Sequence, residues 1–229
     1  KLFHQKIPVT VMALAVLAWV VHPIHNEELS VTTGIASPTY LFWMLFGLLS
    51  FVYYQEKKKI AWFIASLTGF ILSLCSKESS IIFPALLLGM HMAGIKAGVF
   101  KKMKPAGFIR THALFWIIAI GYAAARLTVL NFQDSLNFYS RPNVFTENFL
   151  YRAWTLFTVL AHGLRIMVFP AGLHPERSWP VFTSFLSKEV ILAAFIIVVM
   201  IYSAVISWKK NPLFTFGIFW FFFDWWFYL

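Results

Sequence analysis

The residues best suited to chemistry stand together in one short polar run, His22-Pro23-Ile24-His25-Asn26-Glu27-Glu28. A carboxylate such as Glu27 can take the proton of an attacking hydroxyl, and an imidazole such as His25 can position the group it acts on. His22 and His25 have a spacing that two metal ligands on one helix could use. Pro23 lies between them, however, and no third ligand follows at helical spacing, so helix-end polarity competes with a metal reading. Glu27 and Glu28 are adjacent and would point about 100° apart on a helix, so only one can face a given pocket.

Two further groups could hold an anion. Ser76-Lys77-Glu78-Ser79-Ser80 breaks two apolar runs and offers an ammonium at Lys77. Thr155, Thr158, His162 and Arg165 recur at three- and four-residue spacing, which puts them on one helix face. The Arg165 guanidinium could grip a phosphate through two parallel N–H bonds. Lys77, Arg165 and His162 are therefore the candidate phosphate-binding residues. The plainer readings are an interfacial Lys77–Glu78 ion pair and an Arg165 that only snorkels.

The elements that must position these groups are apolar. Of the 229 residues 60% are hydrophobic, 19% aromatic and only 12% charged, against roughly 25% charged in soluble domains. Apolar runs at 7–21, 38–54, 60–75, 81–95, 111–130, 190–207 and 213–229 read as helices solvated by lipid. Open sheets cannot cross lipid, and these runs are too long for barrel strands. The expected architecture is an all-α polytopic transmembrane bundle of about seven spans, forming one domain over 1–229. Cys75, the single cysteine, is expected to be a small buried side chain.

The net charge of +10 has a topological explanation. Lys57–Lys59, Lys101, Lys102, Lys104, Lys209 and Lys210 fall between apolar runs, as in cytoplasmic loops under the positive-inside rule. No aromatic-interleaved basic surface suggests nucleic acid. If the lysine loops share one side, the 149–169 run should not cross, and its Arg152, His162 and Arg165 fit an interfacial or re-entrant helix on the outer face, the alternative being a full span that lines a wet cavity. The same alternation puts His22–Glu28, Lys77, Glu78 and Arg126 outside.

At these residues the chain resembles a known group. His22-Pro23-Ile24-His25-Asn26-Glu27, then Ser76-Lys77-Glu78, then Leu164-Arg165 through Phe169-Pro170-Ala171-Gly172-Leu173 and Ser178-Trp179-Pro180 are similar to three patches of the transmembrane and tetratricopeptide-repeat O-mannosyltransferases and their bacterial relatives, within the GT-C membrane glycosyltransferases. The resemblance implies transfer of a sugar from a polyprenyl-phosphate donor on the periplasmic or lumenal face of a bacterial inner membrane or endoplasmic reticulum, without cofactor or metal. It implies Glu27 and His25 at the acceptor or sugar, and Lys77, Arg165 and His162 at the donor phosphate. It also places the family's first spans and acidic catalytic loop before Lys1, so the chain is expected to be part of a longer protein. Gly34-Ile35-Ala36-Ser37 departs from the charged sequence common there in the family. The alternative is a non-catalytic integral-membrane subunit that packs its Phe and Trp residues against other membrane subunits. No Gly-rich phosphate loop or hydrolase elbow supports soluble nucleotide chemistry.

Overall fold

The computed structural model describes residues 8–23, 32–129, 148–173 and 179–225. Within them it is helical, with no strand among the described residues. The α-helices are α1 (Val9–Val20), α2 (Ala36–Lys57), α3 (Ile60–Ser76), α4 (Phe83–Lys96), α5 (Pro105–Thr128), α6 (Phe149–Val168), α7 (Lys188–Lys210) and α8 (Pro212–Trp225). Ala36–Lys57, Glu78–Lys96, Pro105–Thr128 and Lys188–Lys210 are long and apolar enough to cross a membrane. Val9–Val20, Ile60–Ser76 and Pro212–Phe223 are apolar but shorter.

Helices α2 and α3 form the tightest pair. Lys58 ends α2 in the left-handed region, with φ 55°, and its N–H donates to Tyr54 O at 2.9 Å. Lys59 is already extended and opens α3, so the chain reverses at once. The helices can then meet backbone to backbone because Gly47 faces Gly69. A Cβ on Gly69 would stand 2.8 Å from the Gly47 Cα. Small residues that admit such an approach are the usual means of packing helices in lipid, where apolar burial gains nothing over contact with acyl chains.

The core lies among α2, α3, α4 and α5. Phe51, Phe70, Phe83 and Phe115, one from each helix, are fully buried. Phe70 stacks on Phe83 with centroids 4.7 Å apart, and Phe83 stacks on Phe115 at 5.7 Å. The polar break between α3 and α4 is tied down by hydroxyls. Ser80 Oγ donates to Ser73 O at 2.7 Å, and Ser73 Oγ donates to Phe70 O. Helix α8 joins this core to a second one: Phe216, Trp220 and Phe223 pack on the first cluster, while Phe221 and Phe222 pack on Leu156, Leu160 and Ile197 of α6 and α7.

The structure departs from the sequence reading at three places here. Helix α5 starts at Pro105 rather than near Thr111, because proline is well placed at a first helical position and the helix runs on into the basic segment. Cys75 is exposed, one helical turn from the exposed Ile71 on the outward face of α3. The polar stripe of α6 has a protein partner, since the segment 179–187 folds back along that helix. Trp179 meets His162 with centroids 4.8 Å apart, the Phe182 N–H donates to Thr155 Oγ1 at 3.1 Å, and Phe185 packs on Trp154. Thr155 and Thr158 are therefore buried beneath a returning chain.

Candidate functional site

Lys77 sits where the α3–α4 break puts it, in an extended conformation just past the last turn of α3. Its Nζ donates to Ser37 Oγ at 2.7 Å and stands 5.5 Å from the Tyr40 ring centroid. Both partners lie on the first turns of α2, so the ammonium ties the end of α3 to the start of α2. Its neighbour Glu78 goes elsewhere: a carboxylate oxygen lies 3.6 Å from Arg126 Nη1 on α5, and the same nitrogen donates to Tyr122 Oη at 3.2 Å. The expected Lys77–Glu78 pair is thus replaced by two longer-range links. An extended residue followed by a 3-10 turn sends adjacent side chains in different directions.

Tyr40 also lines an apolar groove of about 710 Å³. Val16 and Trp19 of α1, Met44 of α2, Met167 of α6 and Trp220 of α8 form its other walls. A cation therefore stands over a ring that forms part of an apolar cleft. Such a cleft takes an amphiphile with a hydrocarbon body and an anionic head. A cation over an aromatic face gains about 0.5–1 kcal/mol at accessible sites, enough to hold the ammonium in place while leaving it able to meet an anion.

The other candidates are arranged differently. Arg165 is exposed at the end of α6, and its Nη2 donates to Ala171 O at 3.2 Å. Helix α6 lines the groove through Gly163 and Met167, and Arg165 lies between them on the opposite side of that turn. Among the described residues no hydrogen bond or ion pair joins Arg165 to Lys77. His162 is held edge-on against Trp179. His22 follows α1, with its N–H donating to Trp19 O at 3.2 Å. His25, Glu27 and Glu28 lie outside the described residues. Among the described residues no group of three or more His, Cys, Asp or Glu side chains could hold a metal ion.

A polar pair missed in the sequence lies near the other end of the core. His91 of α4 and His112 of α5 are buried, and His91 Nδ1 is 2.8 Å from His112 Nε2. Phe51, Phe100 and Phe108 surround His91, with Phe108 stacked on it at 5.0 Å. The signal was available: an ionisable residue inside an apolar run of membrane length needs a partner, and each of these two runs contains one histidine.

No family model, curated protein or solved structure matches the chain.

Proposed function

We propose that this chain is the membrane domain of a glycosyltransferase that takes its sugar from a polyprenyl-phosphate donor, on the face opposite its lysine-rich loops. The observation that carries the reading is Lys77, held over Tyr40 where that ring lines an apolar groove. The groove would take the prenyl chain. The ammonium would bind the donor phosphate and stabilise the charge that builds on it as the sugar leaves. A carboxylate near the acceptor would take its proton, the role proposed for Glu27 with His25 beside it. The chain's membrane topology is read as seven crossings, because α3 pairs along α2 and spans roughly 25 Å for its 17 residues. Helix α6, outside the set of long apolar helices, would lie at the outer interface.

The test is donor binding by the detergent-solubilised chain, using a mannosyl-phosphoryl polyprenol. Lys77→Ala is expected to weaken binding about tenfold, the loss of one charge-assisted hydrogen bond of roughly 1.5 kcal/mol. Arg165→Ala should weaken it less, since that guanidinium lies across the helix from the groove. Unchanged binding in Lys77→Ala would remove Lys77 from the donor site.

One observation favours the second reading, a non-catalytic membrane subunit. Lys77, Arg126 and Arg165 each already contact a group of this chain, at Ser37, Glu78 and Ala171 respectively. On that reading Lys77→Ala lowers thermal stability and leaves donor binding as weak as in the wild type.

A further inference from the structure

The groove that Tyr40 lines is short along the helix axes. On α2 its lining residues run from Tyr40 to Leu45, on α8 from Gly217 to Phe221 and on α6 from Gly163 to Met167. At about 1.5 Å per residue these walls cover about 6–8 Å, roughly a quarter of a hydrocarbon layer about 30 Å thick. Its volume of about 710 Å³ is that of a cleft enclosing a ligand of drug size. A polyprenyl chain of many isoprene units is larger than this space, and so is a pair of acyl chains.

The two ends of the groove are unlike. Tyr40 is the lining residue nearest the start of α2, where Lys77 Nζ donates to Ser37 Oγ and stands 5.5 Å from the Tyr40 ring. In the topology proposed above, α8 rises from the opposite, lysine-rich side, and Gly217 is the first of its residues to reach the groove. Lys77 thus marks one end and Gly217 the other.

The side walls differ as well. Val16 and Trp19 line the groove from α1, a helix with no buried residue. Val16, Trp19 and Leu45 are exposed, so the groove opens beside α1 toward lipid. Gly217, Trp220 and Phe221 stand at i, i+3 and i+4 and share one face of α8. A Cβ on Gly217 would meet nothing within 4 Å. Glycine is a poor helix residue, and no close approach of another helix requires it here. Its effect is to leave that end of the groove clear.

We propose that the groove takes only the isoprene units next to the donor phosphate, and that Gly217 sets how many it admits. The rest of the chain leaves beside α1 into the bilayer. The inference rests on the donor-site reading for the identity of the ligand, and adds to it a limit of length and a preference for one chain over two.

The experiment measures the Kd of the whole detergent-solubilised chain for farnesyl phosphate and undecaprenyl phosphate by calorimetry. The wild type should bind the two within about threefold, because units beyond the groove stay in apolar surroundings whether bound or free. Gly217→Trp should weaken both about tenfold, by displacing roughly two methylene equivalents of the chain, with thermal unfolding unchanged. Gly217→Ala should weaken both by a smaller factor. Undecaprenyl phosphate bound more than tenfold tighter than farnesyl phosphate would overturn the limit of length. Dioleoyl phosphatidic acid bound as tightly as farnesyl phosphate would overturn the single-chain preference. Loss of binding in Lys77→Ala but not in Gly217→Trp would overturn the groove as the seat of the chain and leave the donor phosphate at Lys77. The reverse pattern would support the groove and overturn the donor-phosphate reading instead. Failure of the wild type to bind either prenyl phosphate would overturn both. Should Gly217→Trp not fold, the wild-type comparison of lengths and Gly217→Ala, which adds one methyl group to open space, still decide the matter.

Discussion

Gly69→Leu is expected to prevent stable folding of the α2–α3 hairpin, and Gly69→Ala to destabilise the protein by about 1–3 kcal/mol. The reason lies in what the new atom meets. A Cβ on Gly69 comes 2.8 Å from both the Cα and N of Gly47 and 2.9 Å from Trp43 O, all of them backbone atoms. No rotamer change relieves such contacts, so the two helices must separate. Separation loosens the seat of Phe83, whose ring edge comes within 2.9 Å of where a Cβ on Gly47 would be. Gly121 of α5 provides a control of opposite sign. Nothing lies within 4 Å of a Cβ there, so Gly121→Ala should stabilise by up to about 1 kcal/mol through helix propensity alone. Thermal unfolding in detergent reads both, at roughly 2–4 °C per kcal/mol for a chain of this size. If Gly69→Ala proved as harmless as Gly121→Ala, the backbone contact between α2 and α3 would be wrong.

Much of the fold could be read from local pattern, and most of the tertiary geometry could not. The apolar runs marked the helices, because a backbone in lipid must satisfy its own hydrogen bonds. The basic turn at Lys57–Lys59 and the break at Ser76–Ser80 marked helix ends correctly. Spacing also identified the polar face of α6, but not what covers it: the partner of Thr155 is the N–H of Phe182, and nothing in either segment announces the other. The same holds for the candidate site. Lys77 was recognisable as a cation at a helix break, yet its partner Ser37 lies 40 residues away and depends on how far α3 slides along α2. That register is set by Gly47 and Gly69, and a glycine in a helix does not reveal which glycine it will meet. Adjacency suggested a Lys77–Glu78 pair, and the extended backbone at Lys77 separates the two side chains. His25 and Glu27, central to the sequence reading, lie outside the described residues, so their part in the site rests on the resemblance.

His91 and His112 are expected to show strong coupling in a double-mutant cycle. They are buried, 2.8 Å apart, and one ring nitrogen must donate to the other. His91→Leu or His112→Leu alone removes that partner and leaves a buried polar nitrogen without its bond, at a cost of about 1–3 kcal/mol. The outward-facing nitrogens, His91 Nε2 and His112 Nδ1, are buried without a partner, so the intact pair already bears an unmet desolvation cost. Replacing both rings with leucine removes every polar atom at once. Among Phe51, Phe100 and Phe108, two leucines suit the surroundings at least as well as two imidazoles. The double variant should therefore be destabilised less than the sum of the single variants, and close to neutral if packing is kept. Unfolding of the four proteins in detergent gives the coupling directly. Additive losses would mean that the rings act as separate apolar fillers, and the hydrogen bond between α4 and α5 would have no energetic role. Coupling of about 1 kcal/mol or more would instead show that the bond holds the two helices in register, a use of polar side chains that hydrocarbon surroundings favour because water cannot compete for them.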